Sequence, residues 1–101
     1  MTVAWTKRAQ KRFRDRQNWI EQESCSLGIA VEWGRRITDE AQKLSSFPNM
    51  GRIVPEINRQ EIREIIVAQT TRVIYKVSRN SCGILSVHRT RERIDASLRN
   101  L

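Results

Sequence analysis

Arginines and a single histidine crowd the segment Val87-His88-Arg89-Thr90-Arg91-Glu92-Arg93. Clustered guanidinium groups suit a phosphate backbone or an acidic protein surface. The histidine titrates near neutral pH and is a candidate general acid or base. The plainer alternatives are strand-end charges that keep a sheet edge soluble, and a histidine at the core edge, hydrogen-bonded to backbone. The charge density favours a binding role for the arginines, whereas for His88 we favour the core-edge interpretation.

The whole chain is strongly basic. It has 101 residues, with 19 Lys and Arg against 11 Asp and Glu, and a formal net charge of +8. Fifteen of the basic residues are Arg, whose planar fork suits carboxylates, phosphates and aromatic faces. This balance points to an acidic or nucleic-acid partner, with a merely solvated basic surface as the alternative.

Several classes of protein and site are disfavoured by composition. The longest apolar run, Leu27 to Val31, is far shorter than the ~20 residues that span a bilayer, so no membrane association is expected. The first residues lack the apolar core of a secretory signal. Cys25, Cys82 and the single histidine suggest neither a disulfide framework nor a zinc site. The sequence therefore predicts a protein of a reduced cytoplasm, with no metal and no cofactor.

The elements that must position these side chains follow from periodicity. Residues 2–6 are a plausible strand, and Thr6 can cap a helix that runs to about Glu23. A second helix starts near Ser24–Ser26 and ends at Pro48. Its buried face recurs every three or four residues, at Ile29, Trp33, Ile37, Ala41 and Leu44. So short a break between two helices predicts an antiparallel hairpin.

The pattern after Pro48 becomes strand-like. Residues 52–54 are a candidate edge strand because Pro55 cannot donate to a ladder. Residues 60–68, 71–78 and 83–89 are rich in Ile, Val and Tyr. The predicted fold class is α+β, a β-α-α-β-β-β(-β) chain. Its N-terminal strand and antiparallel helical hairpin pack on one face of a small, mainly antiparallel sheet. Residues 1–101 are predicted to form one domain, with 95–101 as a flexible tail.

The turn between the second and third C-terminal strands decides which face is buried. A tight turn at Gln69-Thr70 places Ile62, Glu64, Ile66, Val73, Tyr75 and Val77 on one face. We assign the helices to that face and expect Glu64 to pair with Arg16 of the first helix. The other face then carries an apolar strip edged by basic residues, which resembles a binding groove: Arg63, Arg72, Lys76 and Arg89. A slip of one residue would exchange the two faces.

Four segments in this order resemble a known group. They are Phe47-Pro48-Asn49-Met50-Gly51-Arg52-Ile53-Val54-Pro55-Glu56, Ile62-Arg63-Glu64-Ile65-Ile66-Val67, Arg72-Val73-Ile74-Tyr75-Lys76-Val77 and Ile84-Leu85-Ser86-Val87-His88-Arg89. Together with the strand–helix–helix start they resemble the RelE/ParE superfamily of toxins from bacterial type II toxin–antitoxin modules. The resemblance implies a helical hairpin on a small antiparallel sheet. It also implies a cognate antitoxin that docks a helix or strand onto apolar surface in a hetero-oligomer.

The superfamily divides by target. RelE-like members cut messenger RNA in the ribosome, and ParE-like members poison DNA gyrase. The RelE-like pattern implies cleft arginines, a basic loop and a C-terminal tyrosine. Here Arg52 occupies the loop without a lysine, and no tyrosine follows Arg91. A nuclease would have to use Arg63, Arg72, His88 and Arg91.

The series Gly51-Arg52, Pro55-Glu56, Arg63-Glu64 and Val87-His88 looks more like ParE-type members. The resemblance therefore favours a bacterial, cytoplasmic gyrase inhibitor of the kind linked to plasmid stabilisation. A ribosome-dependent endonuclease acting on mRNA is the alternative, and a non-toxic basic binding module is a third. The residues expected to contact target or antitoxin are Arg52, Arg63, Arg72, Lys76, Arg89, Arg91 and Arg93.

Overall fold

The computed structural model describes residues 1–94 and residue 98. Strand β1 spans Thr2–Trp5, helices α1 and α2 span Lys7–Ser24 and Leu27–Gln42, and a 3₁₀ turn follows at Lys43–Ser45. The remaining strands are β2 (Arg52–Ile53), β3 (Ile62–Val67), β4 (Thr71–Val77) and β5 (Ser81–Arg89). Apart from Leu98, the predicted tail at 95–101 lies outside the described residues, and the single domain over 1–101 stays a prediction.

Local sequence signals set both helix starts. The Thr6 hydroxyl accepts a hydrogen bond from the Ala9 amide at 3.1 Å, and the Ser26 hydroxyl accepts one from the Ile29 amide at 3.2 Å. Each bond satisfies an amide that has no partner within its helix. Between them, Cys25 adopts a left-handed backbone with φ of 51° and ends α1. The predicted strand–helix–helix start is therefore present.

The five strands form one mixed sheet in the order β1-β5-β4-β3-β2. β1 runs parallel to β5, and every other neighbouring pair is antiparallel. The helical hairpin and the three intervening strands separate β1 from β5 along the chain, which provides the long connection that a parallel pair requires. The α+β prediction is confirmed.

The predicted register between β3 and β4 is wrong by one residue. Ile62 faces Lys76 and Val67 faces Thr71, so the turn has three residues rather than two. Ala68 and Gln69 both adopt a left-handed backbone, with φ of 55° and 62°. Alanine and glutamine rarely adopt that conformation, so the sequence does not indicate it. Because side chains alternate along a strand, this single extra residue moves every β3 side chain to the opposite face relative to those of β4.

Each face of the sheet carries a core of its own. The helices cover the face that bears Ile65, Val67, Val73, Tyr75 and Ile84. The helices contribute Ala9, Ile37 and Ala41 to this first core, the 3₁₀ turn contributes Leu44, and Phe13 and Trp33 pack against it. The opposite face, called the outer face below, carries a second core of Val54, Ile62, Ile74, Leu85 and Leu98. The helices therefore cover Val73 and Tyr75 of β4 as predicted, but the β3 residues on that face are Ile65 and Val67 rather than the predicted Ile62 and Ile66.

Candidate functional site

Arg72 lies on the outer face and is 5 % exposed. Its Nε donates to Glu64 Oε1 at 2.6 Å, and its two Nη atoms donate to the Glu56 carboxylate at 2.8 and 2.9 Å. This double contact raises the pKa of Arg72 and holds the pKa of Glu56 at about 2. Arg72 and Glu56 are therefore both charged at neutral pH, and the guanidinium forms its ion pairs within the fold.

Glu64 is buried between two arginines. Its second oxygen accepts a hydrogen bond from Arg52 Nε at 2.7 Å, while the Arg52 side chain itself stays 61 % exposed. The predicted pairing of Glu64 with Arg16 is wrong, because the register places Glu64 on the outer face. Arg16 instead lies over the ring of Trp19, with its Cζ 4.2 Å from the ring centroid.

Arg63 and Tyr75 face the helix side and fix the loop that leads into β2. The Arg63 Nη1 donates to the Gly51 carbonyl at 2.9 Å, and the Tyr75 hydroxyl donates to the Pro48 carbonyl at 2.8 Å. That hydroxyl also accepts from the Gly51 amide at 3.0 Å. Burial raises the pKa of Tyr75. The Nε of Arg63 is buried without a partner, and Lys76 is half-buried opposite Ile62.

His88 is 3 % exposed and is held by side chains rather than by backbone. Its Nε2 lies 2.7 Å from the Ser86 hydroxyl, and its Nδ1 lies 2.8 Å from Glu92 Oε2. Burial lowers the pKa of His88, so the ring is neutral at pH 7. A neutral ring that donates from Nδ1 to the carboxylate must accept the Ser86 proton at Nε2.

Ser86, His88 and Glu92 thus follow the donor order of a hydrolytic triad. Ser86 is 0 % exposed on a strand in the middle of the molecule, so no substrate can approach its hydroxyl. Arg12 of α1 donates to the Glu92 carboxylate and to the Val87 carbonyl, the latter at 2.7 Å. We interpret the chain of bonds as a structural tie between α1 and the end of β5.

Seven residues were expected to contact a partner, and the structure divides them. Arg89, Arg91 and Arg93 are exposed at and beyond the end of β5, and Arg52 is exposed at the other edge of the sheet. Arg72 is buried in ion pairs, and Arg63 and Lys76 are partly buried. The nuclease alternative needs Arg72 and His88 to be free, and both already have partners within the fold.

Sequence reasoning missed an apolar groove between α2 and the β3–β4 turn. It is lined by Ile29, Trp33, Ile37, Val67 and Ala68. On the same helix, Leu27, Ile29 and Val31 are 63 %, 55 % and 52 % exposed, although the predicted buried stripe included Ile29. The signal was present in the sequence, because Ile29 and Val31 cannot both share the buried stripe of one helix. Exposed apolar side chains grouped in this way mark an interaction surface.

Within residues 1–94 and 98, no group of three or more His, Cys, Asp and Glu side chains is placed to hold a metal ion. None of the described helices is both long enough and apolar enough to cross a membrane.

Comparison with known proteins assigns the chain to a family. The family model for the ParE toxin of the type II toxin–antitoxin system parDE matches residues 3–94. A search of curated proteins gives no significant match.

Two solved structures match this chain in the structural comparison. A chain of the chromosomal ParDE TA system from P. aeruginosa superposes with a TM-score of 0.74 at 17 % identity, over 88 % of this chain and 95 % of that one. A conserved hypothetical protein from Helicobacter pylori gives a TM-score of 0.44 at 12 % identity, over 91 % and 97 % of the two chains. Since the family model spans nearly the whole sequence, this chain belongs to the ParE toxin family of type II toxin–antitoxin systems.

Proposed function

We propose that this ParE-family toxin acts in the bacterial cytoplasm by inhibiting DNA gyrase, and that a cognate antitoxin restrains it. The choice of gyrase rather than RNA as the target rests on the ion pairs of the outer face. There the arginine that a nuclease would need, Arg72, is neutralised by two carboxylates. A toxin that works by binding an enzyme requires no free general acid or base.

RNA cleavage makes demands that this arrangement does not meet. A base must take the proton of the 2′-hydroxyl, and cations must stabilise the charge on the phosphorane. His88 is buried and neutral, and both of its ring nitrogens have partners. Glu56 and Glu64 would repel an approaching phosphate at Arg72. The RelE-like alternative is therefore the weaker of the two.

The exposed arginines at the end of β5 are the surface that we propose for the target. Arg89 and Arg91 are exposed, and so is Arg93 just beyond them. Cationic side chains on an interface steer the encounter with an acidic surface and fix its orientation. Arg89 is the last residue of β5 and projects from the paired strand, and Arg91 and Arg93 follow in the segment just beyond it.

The apolar groove is the surface that we propose for the antitoxin. An amphipathic helix can place apolar side chains against Ile29, Trp33 and Val67. Arg36 also lines the groove, and it offers a partner for an acidic residue on the same helix. Groove and arginines together fit a partner segment that is apolar on one side and acidic on the other.

The target is tested with purified proteins. We expect the full chain to inhibit gyrase supercoiling and to leave ribosome-bound mRNA intact. The double variant Arg91→Gln/Arg93→Gln should lose inhibition at least tenfold, whereas Arg14→Gln/Arg79→Gln, which removes the same charge elsewhere, should not. Site-specific cuts in mRNA that disappear with His88→Gln, with supercoiling unaffected, would contradict the proposal.

The antitoxin surface is tested separately. The substitution Ile29→Asp should weaken antitoxin binding at least tenfold and leave gyrase inhibition unchanged. Phe47→Asp is the matched control, since Phe47 is 63 % exposed and does not line the groove. Equal binding by the wild type and the Ile29 variant would show that the antitoxin docks elsewhere.

A further inference from the structure

A cleft separates α1 from the end of β5, on a different part of the surface from the apolar groove. Its α1 wall carries Arg12, Arg16 and Trp19, at the spacing of one helix face. Its other wall carries His88 and Arg89. Basic and aromatic side chains therefore line one concave surface, which none of the functions described above uses as a whole.

The two carboxylates in the cleft already have partners. Asp15 accepts from Lys11 Nζ at 2.7 Å, and Glu92 accepts from Arg12 and His88. Arg12 is also bound to the Val87 carbonyl. Arg12 and Glu92 therefore hold the α1 wall of the cleft against its β5 wall.

Arg16 differs from Arg12. Among the described residues it makes no hydrogen bond or ion pair, and its contact is with the ring of Trp19. Burial and the nearby charge of Arg89 lower the pKa of Arg16. Arg89 forms a long ion pair with Glu92, with Nε 3.8 Å from Oε1, and its side chain stays 61 % exposed. Arg16 and Arg89 therefore leave a position between them where an anion would be attracted by both.

Trp19 adds an aromatic surface to that position. Its side chain is 47 % exposed in a helix whose other large aromatic, Phe13, packs between Trp5 and Trp33. An aromatic ring beside accessible guanidinium groups is the arrangement by which proteins hold single-stranded nucleic acid. Bases stack on the ring, and phosphates lie against the cations.

We propose that the cleft binds a single strand of nucleic acid, with a phosphate between Arg16 and Arg89 and a base against Trp19. An acidic peptide fits less well, because it would use the charges and leave the indole without a stacking partner. DNA and RNA strands share the chemistry that the cleft recognises. The proposal goes beyond gyrase inhibition and does not depend on it, since the strand is bound by the toxin itself.

Binding is measured by the fluorescence anisotropy of labelled oligonucleotides of eight to twelve bases, titrated with the full chain. The substitutions Arg16→Gln and Arg89→Gln should each weaken binding five- to tenfold. Each should also reduce the slope of log affinity against log salt by about one. Trp19→Ala should weaken binding at least fivefold at any salt concentration and leave the slope unchanged.

Charge-matched controls separate the cleft from general basicity. Arg14 lies on α1 beside Trp5 and Phe13, away from the cleft, and Arg79 is exposed in the β4–β5 turn. Arg14→Gln and Arg79→Gln should bind within twofold of the wild type. Equal losses in all four arginine variants, or no binding by the wild type, would overturn the proposal.

Two further arms distinguish the ligand. DNA and RNA strands of the same sequence show which sugar is preferred, and a duplex should bind more weakly because its bases cannot reach Trp19. Poly-glutamate of equal charge tests an acidic protein partner. If it displaces the oligonucleotide at lower concentration and depends on the same two arginines, the cleft is a protein-binding site and the proposal fails. None of these assays contains gyrase.

Discussion

The two faces of the sheet are stabilised in different ways. On the helix side, apolar side chains such as Val73, Ile84 and Ile37 form the interior, and the one charged side chain described there, Arg63, is only partly buried. On the outer face, Ile62 and Ile74 share the interior with Glu64, Arg72, Ser86 and His88, all of which are buried. One face is stabilised mainly by removing apolar surface from water, and the other also requires every buried charge to have a partner.

The difference explains why arginines on an apolar strand are ambiguous in sequence. The spacing of Arg72 among Val73 and Ile74 is typical both of a binding groove and of a buried ion pair. The buried ion pair is distinguished by carboxylate oxygens of Glu56 and Glu64 that lie within 3 Å of the Arg72 guanidinium nitrogens. Glu56 is 16 residues distant from Arg72 along the chain, so its position is not evident from local sequence. The same comparison gives the experiments below, in order of expected effect.

Removing a carboxylate from the outer face should be the most damaging single change. Glu64→Ala leaves Arg72 buried with an unpaired Nε. The loss of a partner from a buried pair costs about 3–5 kcal/mol of unfolding free energy. Urea denaturation followed by circular dichroism measures this loss. Glu32→Ala is the control, because Glu32 is exposed and its loss should leave the midpoint near that of the wild type.

A double variant sharpens the comparison. Replacing both partners, with Glu64→Leu and Arg72→Met, should recover most of the stability that Glu64→Ala loses, because an apolar pair can fill the same space. If the double variant is no more stable than Glu64→Ala, the ion pair is not the source of the loss.

A truncation on the helix side should have a smaller effect. Ile37 is 1 % exposed in the first core, and Ile37→Ala removes buried methylene groups and leaves a cavity. We expect a loss of about 2–4 kcal/mol in the same denaturation assay. Ile29→Ala is the control, since Ile29 is on the same helix and 55 % exposed. Similar losses in the two variants would contradict the assignment of the buried face.

Gly51 packs closely against β3 and β4, and its substitution should have a moderate effect on stability. A Cβ at this position would lie 2.5 Å from the Glu64 carbonyl and 2.6 Å from the Tyr75 hydroxyl. Gly51→Ala should therefore lower the unfolding free energy by about 1–3 kcal/mol, the usual cost of overpacking. Gly83→Ala should be tolerated, because a Cβ there meets nothing within 4 Å. Thermal unfolding of both variants gives the comparison.

Acid should weaken the outer face through Glu56. The pKa of this carboxyl is about 2 in the folded protein, below its ordinary value of 4.5. The ion pair with Arg72 therefore contributes fully above pH 4.5, and its contribution is lost as the pH falls towards 2. Glu56→Gln should flatten the fall in Tm over this interval, while Glu23→Gln should not. Parallel Tm curves for the wild type and the Glu56 variant would count against the pair.

Much of the fold could be predicted because its signals are local. Thr6 and Ser26 are good N-caps, and the β-rich segments have the length of strands. The register could not be predicted, since Ala68 and Gln69 adopt a left-handed backbone without being glycine or asparagine. That one residue put the β3 side chains on the wrong face in the prediction, whereas Val73 and Tyr75 of β4 were placed correctly.

The candidate site was predictable only in part. The exposed arginines at the end of β5 follow from charge density, and the family follows from four short segments in order. The partners of Arg72 and His88 could not be predicted, because these contacts form only in the folded chain. The same holds for the cleft beside Trp19. No periodicity reveals which charges are already neutralised.

The most direct test of gyrase as the target is induced expression of this chain in a bacterial host. DNA, RNA and protein synthesis are followed by separate label incorporation. We expect DNA synthesis to fall first, together with a DNA-damage response and intact messages. An early fall in protein synthesis with cleaved messages would contradict gyrase inhibition and favour a ribosome-dependent nuclease.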